Sequence, residues 1–343
     1  MSRPHFGVLL VSAAAAFSCG SSNTEKGVAR VDSEDSSGTG STLTEVQEYA
    51  EACAAELGPP PAWDILADSL TVPVTVDGVP LDGVDYTADA VCDRPDLLRR
   101  SCIPYSRIGR KAGTTADGAE DPDVVWMITF RRSDPGGDPE LGRYEDVAMI
   151  GHRASTGDTC FFQAYPADII THIGSPLDPD ETHWVSPTTV ASVDCSRCHG
   201  ADPWIHTPWI DQLRDPGDPA LPLVPLVEDR DRPYRIVGSA LADWNARLLH
   251  VTPAGNGCVT CHRVGLNEAC ERLVPYATGR LGGLPLSATG LAFPHSHWMP
   301  PHEGDDLATW EASWSDDVAE LVDCCRDPEQ DHCGLAAVPG SAR

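Results

Sequence analysis

Lysine is nearly absent: Lys26 and Lys111 are the only two in 343 residues. All cations together, 24 Lys+Arg, face 52 Asp+Glu, which leaves a net charge of −28. A phosphate backbone would be repelled over most of such a surface, so nucleic acid is excluded as a partner. Charge alone would not hold the chain on an anionic membrane either. Long apolar runs are missing: the longest, residues 6–17, is well short of the ~20 residues that span a bilayer. There is no nucleophile elbow, no phosphate loop and no dinucleotide fingerprint, which removes the commonest hydrolase, kinase and dehydrogenase readings. Methionine is scarce, with Met127, Met149 and Met299 the only ones after Met1.

Glycine, proline and cysteine, by contrast, are plentiful: 30, 30 and 13. The first two predict long loops and modest regular structure. Thirteen cysteines exceed what a reduced cytosolic chain would carry without a metal or cofactor to employ them. The N-terminus fits an oxidising destination. Arg3, the apolar stretch 6–17 and small residues before Cys19 read as an export signal over residues 1–18. The stretch Ala16-Phe17-Ser18-Cys19 resembles a bacterial lipoprotein signal, which implies a lipid on Cys19 and a membrane anchor. Residues 19–41 are rich in Ser, Gly and acid, and are expected to be a flexible tether.

Two organisational halves follow. Thr42-Leu43-Thr44-Glu45 has capping-box spacing and starts a helix that Gly58 and three prolines end. Its apolar stripe is Leu43, Val46, Ala50, Cys53 and Leu57. Residues 71–76, 124–132, 145–153 and 159–165 alternate as strands, and their short connections predict an antiparallel meander. From about residue 182 the strand signals fade and seven of the nine tryptophans appear. Leu241, Trp244 and Leu248 share a helical face, as do Trp310, Trp314, Val318 and Leu321.

The chemistry sits in that second half. Cys195-Ser196-Arg197-Cys198-His199 and Cys258-Val259-Thr260-Cys261-His262 both read C-x-x-C-H, the attachment signature of c-type haem. Two thiols at this spacing reach two vinyl groups of one porphyrin, and the next imidazole then meets the iron. Thirteen cysteines and twelve histidines scattered at random would give roughly 0.02 such pentads, so two are not a by-product of composition. A zinc site or a redox-active dithiol could use the same residues. Zinc does not require histidine directly after the second cysteine, and the thioredoxin-type βαβ context is missing. Setting aside Cys19 and the four motif cysteines leaves eight: Cys53, Cys92, Cys102, Cys160, Cys270, Cys324, Cys325 and Cys333. Four disulfides would absorb them, with Cys92 and Cys102 a plausible local pair.

Residues 257–265, with the second motif, then Trp298-Met299-Pro300-Pro301, then Trp314-Ser315-Asp316-Asp317-Val318 stand in the order of a class I cytochrome c, and the segment resembles that family. The resemblance covers about 75 residues. It implies a small helical haem unit over 250–325, His262 and Met299 as axial ligands, and a C-terminal helix capped by Ser315. His295, His297 and His302 flank Met299 and are alternatives to it. No methionine lies between the two motifs, so the first iron, on His199, is expected to take a histidine as sixth ligand: His206 first, then His250, with His183 and His172 further candidates. A His/His iron sits lower in potential than a His/Met iron, which would send electrons from the first haem to the second.

These signals predict an α+β chain. A small disulfide-linked β-rich domain (42–180) of unassigned role precedes a mainly α, loop-rich region (181–335) holding two covalently attached haem c groups. The expected function is electron transfer by an exported, lipid-anchored protein on the periplasmic or outer-surface face of a bacterial membrane. With so little lysine the chain has no lysine docking ring, and its acidic surface suits a redox partner with a basic face. A peroxidase-like haem enzyme, or a haem-based sensor with one open iron, is the rival reading.

Overall fold

The computed structural model describes residues 43–81, 92–94, 96, 102–132, 143–166, 171–207, 209–226, 229–260, 262–266, 268–270, 274 and 307–341. The expectations for the signal segment, the tether, Cys19, Cys261, His295, His297, Met299 and His302 lie outside the described residues.

Helix α1 (Glu45–Leu57) is entered through a capping box at Thr44, not Thr42. The Thr44 hydroxyl accepts from the Gln47 N–H, and the Gln47 side chain accepts from the Thr44 N–H. Tyr49, Ala50, Cys53 and Leu57 form the buried stripe, whereas Leu43, expected on it, is exposed. Gly58, at φ 76°, ends the helix in a conformation that a side chain would strain.

Short strands follow: β1 (Trp63–Asp64), β2 (Ser69–Thr71), β3 (Thr75–Val76) and β4 (Val79–Pro80). The expected single strand at 71–76 is therefore two short pieces. Then come β5 (Arg107–Thr114), β6 (Glu120–Arg131), β7 (Asp146–Arg153) and β8 (Asp158–Ala164), and the small β9 (His172–Ile173). β5 to β8 form the meander, each antiparallel to the next. Its first strand, rich in Arg, Lys and Gly, escaped the alternation signal.

The sheet does not stop at residue 180. Beyond it come α2 (Pro187–Val193), β10 (Arg235–Ile236), α3 (Ala242–Asn245), β11 (Leu249–Val251), β12 (Val264–Gly265), α4 (Leu307–Arg326) and β13 (Ala336–Ala337). β10 adds parallel to β8 and completes a six-stranded sheet in the order β10-β8-β7-β6-β5-β2. One hydrophobic core joins both halves of the chain: Tyr49, Trp63 and Trp126 pack in it with Trp184, Val190, Trp244 and Val338. The expected division at 180/181 is thus crossed by the core. α1 is held against this sheet by the Cys53–Cys160 disulfide and by the Phe161 N–H, which donates to the Tyr49 hydroxyl (3.0 Å).

The chain is mixed α and β with several disulfides, but the described part of 181–335 is not mainly α. Its helices are short, apart from the 20 residues of α4, and β11 forms a three-stranded sheet with β12 and β13. α4 begins at Leu307, so Ser315 lies inside it and does not cap it. Among the described residues no helix is long and apolar enough to cross a membrane.

Candidate haem-binding motifs

The first three residues of each pentad make the same 3-10 turn. Asp194 leaves α2 in the left-handed region at φ 57°, and Cys195–Arg197 then makes a 3-10 turn. The His199 N–H donates to the Cys195 carbonyl (2.8 Å), as does that of Cys198 (3.1 Å). In the second motif Cys258–Thr260 is the 3-10 turn, and the His262 N–H donates to the Cys258 carbonyl (3.1 Å). The turn brings each histidine back beside its first cysteine.

At the first motif the imidazole of His199 is oriented by a second contact: Nδ1 hydrogen-bonds the Pro203 carbonyl (3.0 Å). A carbonyl only accepts, so Nδ1 carries the proton and Nε2 presents its lone pair. This is how a metal-ligating histidine is commonly held. Burial drops the His199 pKa to about 4, against the opposing pull of the Pro203 carbonyl and with help from the charge of Arg131. The imidazole therefore stays neutral at physiological pH, the form that ligates. Its ring meets Phe161 edge-on at 5.6 Å, and its carbonyl accepts from the buried Tyr234 hydroxyl (2.7 Å). Tyr234→Phe is expected to cost about 1–2 kcal/mol by leaving that carbonyl without its donor, measurable as a lower urea midpoint at unchanged slope.

Cys195, Cys198 and His199 open onto a cleft with about 1100 Å³ of empty space, its solvent mouth included. One wall is the face of β5 to β8; the other is the segment around Pro203, Trp204 and Ile205, with Ile210 and Val224. The lining is mostly apolar, with Thr129, Arg131, Asp146, Gln163 and Asp194 as the polar part outside the motif. A flat, largely apolar ring carrying two carboxylates suits such a lining.

The second motif is braced from α4. The Gly257 N–H donates to Asp317 (3.1 Å), and the Asn256 side chain donates to the Asp317 carbonyl and to Glu320, each at 2.8 Å. Trp314 presses so close to Gly257 that an added Cβ would lie 2.8 Å from its ring. Asp317 thus faces the motif and does not serve as a helix cap. His262 is solvent-accessible yet crowded by protein, so desolvation lowers its pKa, with the charge of His206 next.

The segments that follow the two motifs pack on one another. Arg263, adjacent to His262, has a side chain only 1% exposed and pairs with Asp202 at 2.5 Å. Arg197, inside the first motif, pairs with Glu268. A Cβ on Gly265 would lie 3.0 Å from Ala201. The two histidine-bearing turns are therefore fixed relative to one another by buried charge and close backbone packing.

The cysteines divide as the arithmetic of the sequence requires. The bridges are Cys53–Cys160, Cys92–Cys102, Cys270–Cys325 and Cys324–Cys333, so the eight remaining cysteines are the ones paired. Cys195, Cys198 and Cys258 lie outside these four bridges.

The sixth-ligand candidates fare differently. His206 does not line the cleft. Its Nδ1 contacts Asp211 (2.8 Å) and its Nε2 the Pro225 carbonyl (3.2 Å), so both ring nitrogens are committed elsewhere. Burial works against its protonation, but the hydrogen bond and charge of Asp211 outweigh that and raise its pKa. Asp211 and the Pro225 carbonyl thus hold the ring away from the cleft. His206, expected as sixth ligand, is thus not beside the cleft that His199 opens onto. His183 is occupied by Glu181 (2.6 Å), and His250 lies on β11, between β12 and β13. None of these histidines lines the cleft.

No family model, no curated protein and no solved structure matches the chain.

Proposed function

We propose that the chain is an exported dihaem c-type electron-transfer protein, anchored to a membrane through a lipid on Cys19. The observation that carries this reading is the first motif: Cys195 and Cys198 flank a cleft into which His199 brings a neutral imidazole, oriented by Pro203. That donor set fits a covalently attached haem. When bound, haem supplies an iron that takes up and gives back one electron. The protein's share is to hold and shield it. Cys195 and Cys198 would carry the first group and His199 would ligate it; Cys258, Cys261 and His262 would do the same for the second. Phe161, Ile150, Trp204 and Val224 keep water from the first ring.

The packing of the segments beside the two motifs supports a relay in one chain, because the pairs Arg263–Asp202 and Arg197–Glu268 hold both sites in one body. The bridges support an oxidising compartment, in agreement with the export signal. The net charge of −28 favours a basic redox partner.

The test is production of the full chain in a host with haem-ligation machinery, followed by intact mass and optical spectra. Two covalent haems per chain are expected, one lost in Cys195→Ala/Cys198→Ala and the other in Cys258→Ala/Cys261→Ala. A chain that acquires no covalent haem, or holds zinc at these cysteines, would overturn the proposal.

A further inference from the structure

Resting on the haem reading above, we infer that the β-sheet supplies the sixth ligand of the first haem, and that this ligand is the thioether of Met127. The cleft beside His199 is lined by twenty residues, and outside the motif Met127 alone among them bears a donor that haem iron ordinarily takes. The lining contains no other methionine, no histidine besides His199, no tyrosine and no lysine.

The strand register makes the assignment specific. Side chains alternate along β6, so Met127, Thr129 and Arg131 share the cleft face while Trp126, Ile128 and Phe130 enter the core behind it. Met149, the other described internal methionine, pairs with Ile128 and points into that core, where its sulfur accepts from the Trp63 indole (3.2 Å). The Met149 thioether is thus bonded in one core, whereas Met127, buried among Ile108, Trp204 and Val224, lines the cleft. Next to Met127 across the sheet stands Ile150, and next to Ile150 stands Phe161, the residue in contact with the His199 ring.

The same face is graded along the strands. The row of Met127, Ile150 and Phe161 is apolar. The row of Thr129, Ala148 and Gln163 is mixed, with Ala148 leaving space at its centre. The next row holds the ion pair of Arg131 with Asp146 (3.3 Å). A ring with a greasy rim and a carboxylate edge would lie with that edge toward Arg131. The sheet thereby gains a role that its sequence did not disclose, as the floor of the first haem site. The ligand bond is donation of a sulfur lone pair to iron, with no proton released and no electron transferred. A Met127-ligated first haem would have His/Met ligation, in place of the His/His pair expected from the spacing of the motifs, and would remove the ligand-based reason for a low first potential.

The experiment compares the holoprotein with Met127→Leu, a swap that keeps size and apolar character while deleting the sulfur, and with Met127→His. Peptide mass first establishes haem on Cys195 and Cys198. The expected result is that reduced wild type binds no carbon monoxide at the first haem, whereas Met127→Leu binds one additional equivalent per chain and gains high-spin signal when oxidised. Met127→His is expected to stay low-spin and inert to carbon monoxide, with one of two midpoint potentials shifted down. If Met127→Leu folds poorly, the potential shift in Met127→His decides. Haem on Cys195 and Cys198 with carbon monoxide binding and potentials unchanged in both variants would overturn Met127 and leave the haem reading intact. Absence of haem from those cysteines in wild type would overturn the haem reading itself.

Discussion

Arg263→Met is expected to destabilise the folded chain by about 3–5 kcal/mol and to loosen the two motifs from one another. The Arg263 guanidinium is almost wholly enclosed. Nε and Nη2 both donate to Asp202, at 3.0 and 2.5 Å, and Nη1 donates to the Arg232 carbonyl at 2.5 Å. Burial pushes the Asp202 carboxyl above its usual range even though Arg263 pulls it down. Removing the cation leaves that carboxylate with the full burial penalty and strands the carbonyl beside it. A urea midpoint shift at constant slope measures the cost. The double variant Arg263→Met/Asp202→Ala is expected to recover a large part of it, since loss of both charges removes the desolvation penalty along with the attraction. If the pair couples the two sites, the single variant also brings together two midpoint potentials that differ in wild type, or separates two that coincide. A single variant as stable as wild type would mean that the contact between the segments beside the motifs rests on the packing of Gly265 against Ala201 instead.

The motif itself was plain in the sequence, and so was the partition of the cysteines, because both depend on spacing and counting alone. The surroundings of the motif were much less so. Met127 and Ala148 read as ordinary alternating strand residues, and nothing local says that their face meets a cleft and not water. That face acquires meaning only when residues 195–205 fold back over it, a contact between segments some 70 residues apart. The parallel pairing of β10 with β8 is hidden for the same reason: two residues, Arg235 and Ile236, carry no strand signal of their own and are ordered by the edge they join. The N-cap was misplaced because Thr42-x-x-Glu45 and Thr44-x-x-Gln47 both satisfy the capping pattern, and the downstream box is the one used. Ser315-Asp316-Asp317 has the composition of a cap, yet α4 runs through it, and Asp317 bonds the second motif instead. Proximity in sequence marks His206 as a ligand candidate, but nothing in the sequence says that Asp211, only five residues on, contacts its ring.

Acid is expected to undo the wall of the first site through His152, a residue with no part in haem attachment. His152 is buried on β7, with Nδ1 2.9 Å from the Thr159 hydroxyl. That hydroxyl already donates to the Gly157 carbonyl (2.9 Å), so Nδ1 must be the donor and Nε2 holds a lone pair. Nε2 is buried and has no hydrogen-bond partner among the described residues. A proton there would be desolvated, without an acceptor, and repelled by Arg232 and Arg263, with only Asp123 attracting it. The pKa accordingly falls from 6.5 to about 3. The sign follows from linkage: between those values the unfolded chain binds the proton and the folded chain does not. Stability is therefore full above pH 6.5 and lost as pH falls, by about 3 kcal/mol at pH 4 from this group. The neutral His199 contributes with the same sign over the upper part of that window. His152→Phe should flatten the fall of the urea midpoint with pH below pH 6.5, so that the variant loses less stability than wild type on going to low pH. An unchanged slope would place the acid sensitivity elsewhere. The consequence reaches the site because His152 stands edge-on to Trp204 at 5.9 Å, and Trp204 lines the cleft that His199 faces. If the protein carries the haem proposed above, charging His152 would displace the wall of that site before the sheet itself gives way, so in the haem-loaded protein a spectral change is expected to precede loss of far-ultraviolet ellipticity on acidification. In His152→Phe the two should coincide.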